Sequence, residues 1–200
     1  MTLPQPDAVL RYWFGETPGD AAADAPSKLW WGKDAATDQE IRERFTALRD
    51  AAVSGALSAW EGDAHTRLAL ILLIDQFSRN MYRNDPRAFA DDALARQWCK
   101  DGLALGHDRV LLSIERVFFY LPLEHSESVE DQQRCVALFE ALEREVAEAQ
   151  RKSYAFYLDF ARRHLAIIER FGRFPHRNAI LGRASTPEEV EFLQQPGSSF

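Results

Sequence analysis

Apolar residues recur at spacings of three and four along nearly the whole chain, the period of helices that bury one face. Capping signals divide the pattern. Asp7 is expected to cap a short helix ending at Gly15, and Thr37 with Glu40 reads as a capping box for a helix running to about Gly55. Asp63 opens the next, through LALILLIDQFSRNMY. Asp85 with Pro86 at the first helical position opens another, ending near Gly106. Ser113 begins a helix that Pro122 is expected to stop. Ser128 caps a long stretch to Gly172, interrupted near Gln150, and Thr186-Pro187-Glu188-Glu189 combines a capping box with an N1 proline. Residues 16–27 (ETPGDAAADAPS) read as a mobile loop, and 195–200 as a tail. No segment shows the strict alternation of a strand, and no repeat of about 34 or 40 residues is evident. The pattern predicts an all-α fold in a single domain spanning 1–200.

Polar residues stand in places where this pattern has no use for them. The run 68–74 is apolar all round, which marks a central helix, yet Asp75 and Gln76 follow it directly. Arg79 lies at i+4 from Asp75, and Asn80 at i+4 from Gln76, so each pair shares a helix surface. A buried carboxylate needs a partner, either Arg79 in a structural pair or a polar cavity that both residues line. In FFYLPLEHSESVEDQ (118–132), Glu124, His125 and Glu127 crowd one turn. Carboxylate beside imidazole suits acid–base work, while Glu127 and Glu130 also suit the positive end of the following helix. His164 shares a face with Phe160, Ile167, Ile168 and Phe171, as a satisfied core histidine would. From Arg162 to Arg183 the chain has six arginines and one acid, Glu169. Helix C-termini favour cations, which accounts for Arg170 and Arg173 around Gly172. The other arginines must neutralise acids packed beside them, such as Asp75, Glu124 and Glu127, or hold an anion. Pro175 can start a short helix whose N–H groups would face such an anion.

Composition narrows the functions. The chain of 200 residues is 46% hydrophobic and carries a formal net charge of -7. It therefore lacks the basic balance of a nucleic-acid or anionic-membrane binder. Its longest apolar run is too short to span a bilayer, and its N-terminal stretch does not read as a signal peptide. Cys99 and Cys135 sit apart inside helical patterns, as buried thiols of a cytoplasmic protein would. The histidines and carboxylates lack a metal-ligand spacing, and no Walker or dinucleotide glycine pattern occurs, so neither metal nor cofactor is expected.

The segments WFG (13–15), LWWGKD (29–34), LALILLIDQFSRNMYR (68–83), AFADD (88–92), FFYLPLEHSESVEDQ (118–132) and RFGRFPHRNAILGRASTPEE (170–189) resemble the bacterial DUF924 proteins, a family of unknown function. The resemblance spans nearly the whole chain. It implies a TPR-like all-helical fold of packed antiparallel hairpins, and no established reaction.

Two functional readings follow. In the first, Asp75, Arg79, Glu124, His125, Arg173, His176, Arg177 and Asn178 form a pocket that binds, and is equipped to transform, a small anionic molecule. In the second, TPR-like architecture makes the chain a protein- or peptide-interaction scaffold, and the same residues are a structural ion network. Whether the chain is an enzyme is left open by its residues, since no nucleophile stands out. The first reading requires residues 75–80, 124–127 and 173–178 to meet in space. Trp13, Phe14, Trp30 and Trp31 should be mostly buried, with at least one member of each doublet in the core.

Overall fold

In the computed structural model, which describes residues 5–16 and 27–199, the apolar run 68–74 lies at the centre. The helices are α1 (Pro6–Phe14), α2 (Ser27–Trp31), α3 (Ala35–Val53), α4 (Ala64–Ile71), α5 (Ser78–Met81), α6 (Asp92–Leu105), α7 (Ser113–Glu124), α8 (Val129–Glu145), α9 (Arg151–Phe171) and α10 (Pro187–Leu193). Among the described residues there is no strand. Between α4 and α5 the helix does not stop. It passes through a π-helical stretch, Leu72–Phe77, so the three pieces form one rod. Leu68 to Phe77 are all buried. The rod packs on α1, α3, α6 and α7; α7 in turn packs on α8 and α9, and α8 forms a hairpin with α9. Two helices that are buried nearly all round, the rod and α7, therefore form the interior. The amphipathic helices enclose them.

The caps explain most boundaries. Asp63 accepts from the N–H groups of His65 and Thr66, and Ser128 from that of Asp131. Thr186 and Glu189 form the reciprocal box at the start of α10. Gly172 ends α9 in the left-handed region (φ 68°), where a side chain would be strained. Four expectations need correction. Gln5, not Asp7, stands at the cap of α1, and Asp7 lies in its first turn. Asp34 caps α3, and the apparent cap Thr37 is what it binds: the Thr37 N–H and hydroxyl both donate to Asp34 Oδ2 (3.0 and 2.7 Å). Asp85 and Pro86 open only a single 3-10 turn, Pro86–Ala88, before α6 begins at Asp92. Pro122 lies inside α7, which continues to Glu124. Its ring removes only the N–H that would have met the Phe118 carbonyl, and the flanking core holds the helix together.

Trp13, Phe14 and Trp30 are buried, and the Trp30 indole N–H donates to the Trp13 carbonyl (2.9 Å). Trp31 is 47% exposed and stacks on Phe118 at 5.8 Å. The loop expected to be mobile lies mostly outside the described residues. The main core runs from Val9 to Ala161. A second, small cluster of Ile167, Ile168 and Phe174, flanked by Phe171 and Phe192, seats the C-terminal segment.

Candidate functional site

Asp75 sits in the π-helical stretch of the rod, within the interior. Such stretches widen the helix by one residue per turn and often occur at functional sites. The Asp75 Oδ1 atom lies 2.7 Å from His125 Nδ1 and 3.5 Å from an Arg79 nitrogen. Its other oxygen accepts from the Gln76 amide at 2.6 Å. Burial works against the Asp75 charge, but Arg79, His125 and the hydrogen bonds outweigh it and hold the carboxyl well below the ordinary range. An ionised carboxylate can only accept, so His125 Nδ1 carries the proton and donates it. That fixes the tautomer and leaves Nε2 as the basic nitrogen. Burial lowers the pKa of His125, Asp75 opposes that shift, and Arg79 and Arg177 add to it; the ring is neutral at pH 7.

Glu124 precedes His125 and turns towards α9, where its Oε1 lies 3.3 Å from His164 Nδ1. Burial, and then the neighbouring Asp75 charge, push its pKa to about 8. His164 also bonds the Phe160 carbonyl (2.9 Å), and burial lowers its pKa to about 3. At neutral pH this inner pair is a protonated acid beside a neutral ring. Two carboxyl groups of one cluster are thus driven in opposite directions, the usual basis of separate acid and base roles.

Arg177 completes the cluster from the C-terminal side. Its guanidinium carbon lies over the rings of Phe89 and Phe174, 4.9 and 4.4 Å from their centroids. Nη1 donates to the His125 carbonyl at 3.1 Å. Nε is buried without a hydrogen-bond partner. The nearest carboxylate, Asp92 at 3.7 Å, is already gripped by both Arg79 Nη atoms at 3.1 and 3.0 Å. Burial lowers the Arg177 pKa to about 10, with Arg79 as the next cause. His125 and Arg177 open onto a cleft of about 290 Å³, whose other walls include Asp92, Arg96, Ser126 and Glu127. Phe89, Ala93, Pro122 and Leu181 form the apolar part of its lining.

The three segments do meet: 75 touches 125, and 177 touches 125. The eight candidate residues nevertheless divide. His125 and Arg177 line the cleft; Asp75, Arg79 and Glu124 stand behind them. His176 is half-buried beside Phe174, with ring centroids 5.6 Å apart, and burial lowers its pKa to about 4. Arg173 and Asn178 do not line the cleft and belong to a lattice around Glu189, which reaches the cleft wall only through Arg183. Arg173 grips Glu189 at 2.6 and 2.8 Å, and the Asn178 amide donates to Ser185 and Glu189. Glu127 does not cap α8. It accepts from both Arg183 Nη atoms (2.7 and 2.9 Å) and from the Phe174 N–H (2.8 Å). Pro175 opens a 3-10 turn of three residues, and the anion beside that turn is Glu127 itself. Asn80 meets Asp38 of α3 at 2.9 Å rather than Gln76. The sequence reading missed Asp92 and Phe89, although AFADD already stood among the segments that carry the resemblance.

Cys99 and Cys135 are buried, and burial raises both thiol pKa values, so neither is suited to attack a substrate. Among the described residues no group of three or more His, Cys, Asp and Glu could hold a metal ion. No helix there is long and apolar enough to cross a membrane.

The model of the DUF924 family, described as bacterial protein of unknown function, matches residues 9–197. A solved structure of a protein of unknown function from Agrobacterium tumefaciens is 37% identical and has a TM-score of 0.80. The match covers 96% of this chain and 97% of that one. None of the curated proteins matches.

Proposed function

The chain belongs to the DUF924 family of bacterial proteins of unknown function, and we propose that its cleft is a small-molecule site that holds an anionic ligand on Arg177 beside the His125–Asp75 pair. The observation that carries this reading is the state of Arg177. Its guanidinium lies against two aromatic rings, it lines the cleft, and it has no carboxylate gripped in the forked geometry it is built to make. The arginines around it are paired: Arg79 forks onto Asp92, Arg183 forks onto Glu127, and Arg96 donates through Nε to Asp131. A buried cation with an unfilled donor is a costly arrangement for structure alone. The volume lies near the lower end of small-molecule pockets, roughly 300–1,000 Å³. The neutral His125, oriented through Nδ1, equips the cleft to move a proton at Nε2 to or from a bound molecule.

The alternative, an interaction scaffold whose polar residues form an ion network, describes Arg173 and Asn178, which Glu189 satisfies. It gives Arg177 no partner of that kind. The test is thermal unfolding with phosphate, sulfate and small carboxylates at matched ionic strength, which removes general screening. At about 100 times its dissociation constant a ligand adds roughly 2.7 kcal/mol. For a chain of this size that raises the midpoint by about 5–10 °C. The expected result is at least one selective stabiliser whose effect is lost in Arg177→Ala. An Arg177→Ala variant that loses about 3–5 kcal/mol, alongside a parent indifferent to every anion, makes the arginine purely structural and overturns the proposal.

A further inference from the structure

Resting on that site, we infer that its ligand is a monocarboxylate with a short apolar body. The first ground is the local pairing of charge. Arg79 faces Asp92 with both Nη atoms, Arg183 faces Glu127 in the same way, and Asp131 is closed by Arg96 and Lys100. Asp75 is held by His125 and Arg79. Arg177 is what remains, one cation for one negative charge. A dianion such as phosphate would set its second charge against the carboxylates of Asp92 and Glu127, which stand in the same cleft wall.

The second ground is shape. The Phe89 and Phe174 rings both lie over the guanidinium carbon, 4.9 and 4.4 Å from it, and so favour approach of a ligand along the edge of the group. With Nη1 donating to the His125 carbonyl, the remaining donors are in the plane of the group, the arrangement that a flat carboxylate fits. The third ground is the apolar part of the lining. Pro86, Phe89, Ala90, Ala93, Pro122 and Leu181 offer the cleft no side-chain donor. Ser126, the hydroxyl residue of the lining, already donates to Asp131 at 2.8 Å. A ligand filling this space needs hydrocarbon there, and hydrophobic burial rewards it.

The experiment is calorimetric titration at pH 7 of the intact protein with acetate, butyrate and hexanoate, against phosphate and sulfate at the same ionic strength. Affinity is expected to rise about fourfold for each added methylene, the equivalent of about 0.8 kcal/mol, until the cleft is full. Arg177→Lys, which keeps the charge and loses the fork, should weaken the whole carboxylate series. Leu181→Asn, at a half-buried position in the apolar wall, should flatten the dependence on chain length while acetate still binds. If phosphate or sulfate is instead the tight ligand and needs Arg177, the anion site stands and the monocarboxylate inference falls. A carboxylate series with no chain-length dependence in the parent protein also overturns it. If no anion binds through Arg177, both readings fall together.

Discussion

Asp75 and Glu124 lie in one buried cluster, yet Asp75 is ionised across the ordinary pH range and Glu124 keeps its proton to about pH 8. Arg79, His125 and Gln76 all serve Asp75, whereas the Glu124 carboxyl faces the neutral His164. This difference has a consequence for stability. Between the ordinary glutamate value of 4.5 and about 8, the unfolded chain releases a proton that folded Glu124 retains, so stability falls as pH rises. His164 and His176 act in the opposite sense, since their folded pKa values, about 3 and about 4, lie below the ordinary 6.5. Their contribution is present above pH 6.5 and is lost as pH falls. From 6.5 to 8 the histidine contributions finish rising while the glutamate contribution falls. Urea unfolding should therefore show the parent losing about 1–2 kcal/mol more than Glu124→Gln from pH 6.5 to 8. Equal losses in both proteins would contradict a protonated Glu124.

At the scale of elements, two glycines should respond to alanine for different reasons. Gly102 lies inside α6, where alanine ordinarily improves a helix by about 1 kcal/mol. Here an added Cβ would sit 2.5 Å from Phe119 Cζ and 2.7 Å from Arg67 Cδ. Gly102→Ala should thus destabilise by about 1–3 kcal/mol by driving α6 from α7. Gly172→Ala meets nothing within 4 Å, so its cost is the left-handed backbone alone, about 1 kcal/mol. Thermal midpoints of the two variants decide both.

The same elements show how far the residues could be read in advance. Asp63, Ser128 and Thr186 were legible as caps because each is a short polar side chain placed just before an apolar period. Asp34 was masked by Thr37, a plausible cap that the structure makes its ligand. Nothing in LLIDQF announces a π-helical stretch, since the bonding pattern responds to packing around it. Asp75, His125 and Arg177 stood out as polarity in apolar surroundings, and they do meet. Asp92 did not, because an Asp in a first helical turn has a sufficient local reason to be there. Arg173 and Asn178 were conspicuous for the same polarity, but Glu189, visible only as half of a capping box, is their partner.

At the scale of the molecule, the cleft lies where two cores meet. His125 and Asp92 come from elements around the main core, and Arg177 comes from the segment seated on Ile167, Ile168 and Phe174. Glu127 joins the two, holding Arg183 and the Phe174 N–H. Glu127→Gln should loosen that junction. Hydrogen exchange is expected to quicken by about tenfold at amides of 174–193 while those of 68–77 stay protected, as for a unit that opens by itself. Uniform acceleration throughout would mean that the C-terminal segment unfolds only with the rest. The position of Arg177 also bears on how the protein is made. Chains emerge from the ribosome N-terminus first, at about 5–20 residues per second. The rod, α6 and α7 therefore leave before the arginine that completes the cleft and the Glu189 that anchors its neighbour Arg173. A nascent chain can bury most of its apolar surface before the cleft is complete, so the proposed ligand capture would require synthesis to have passed Arg177.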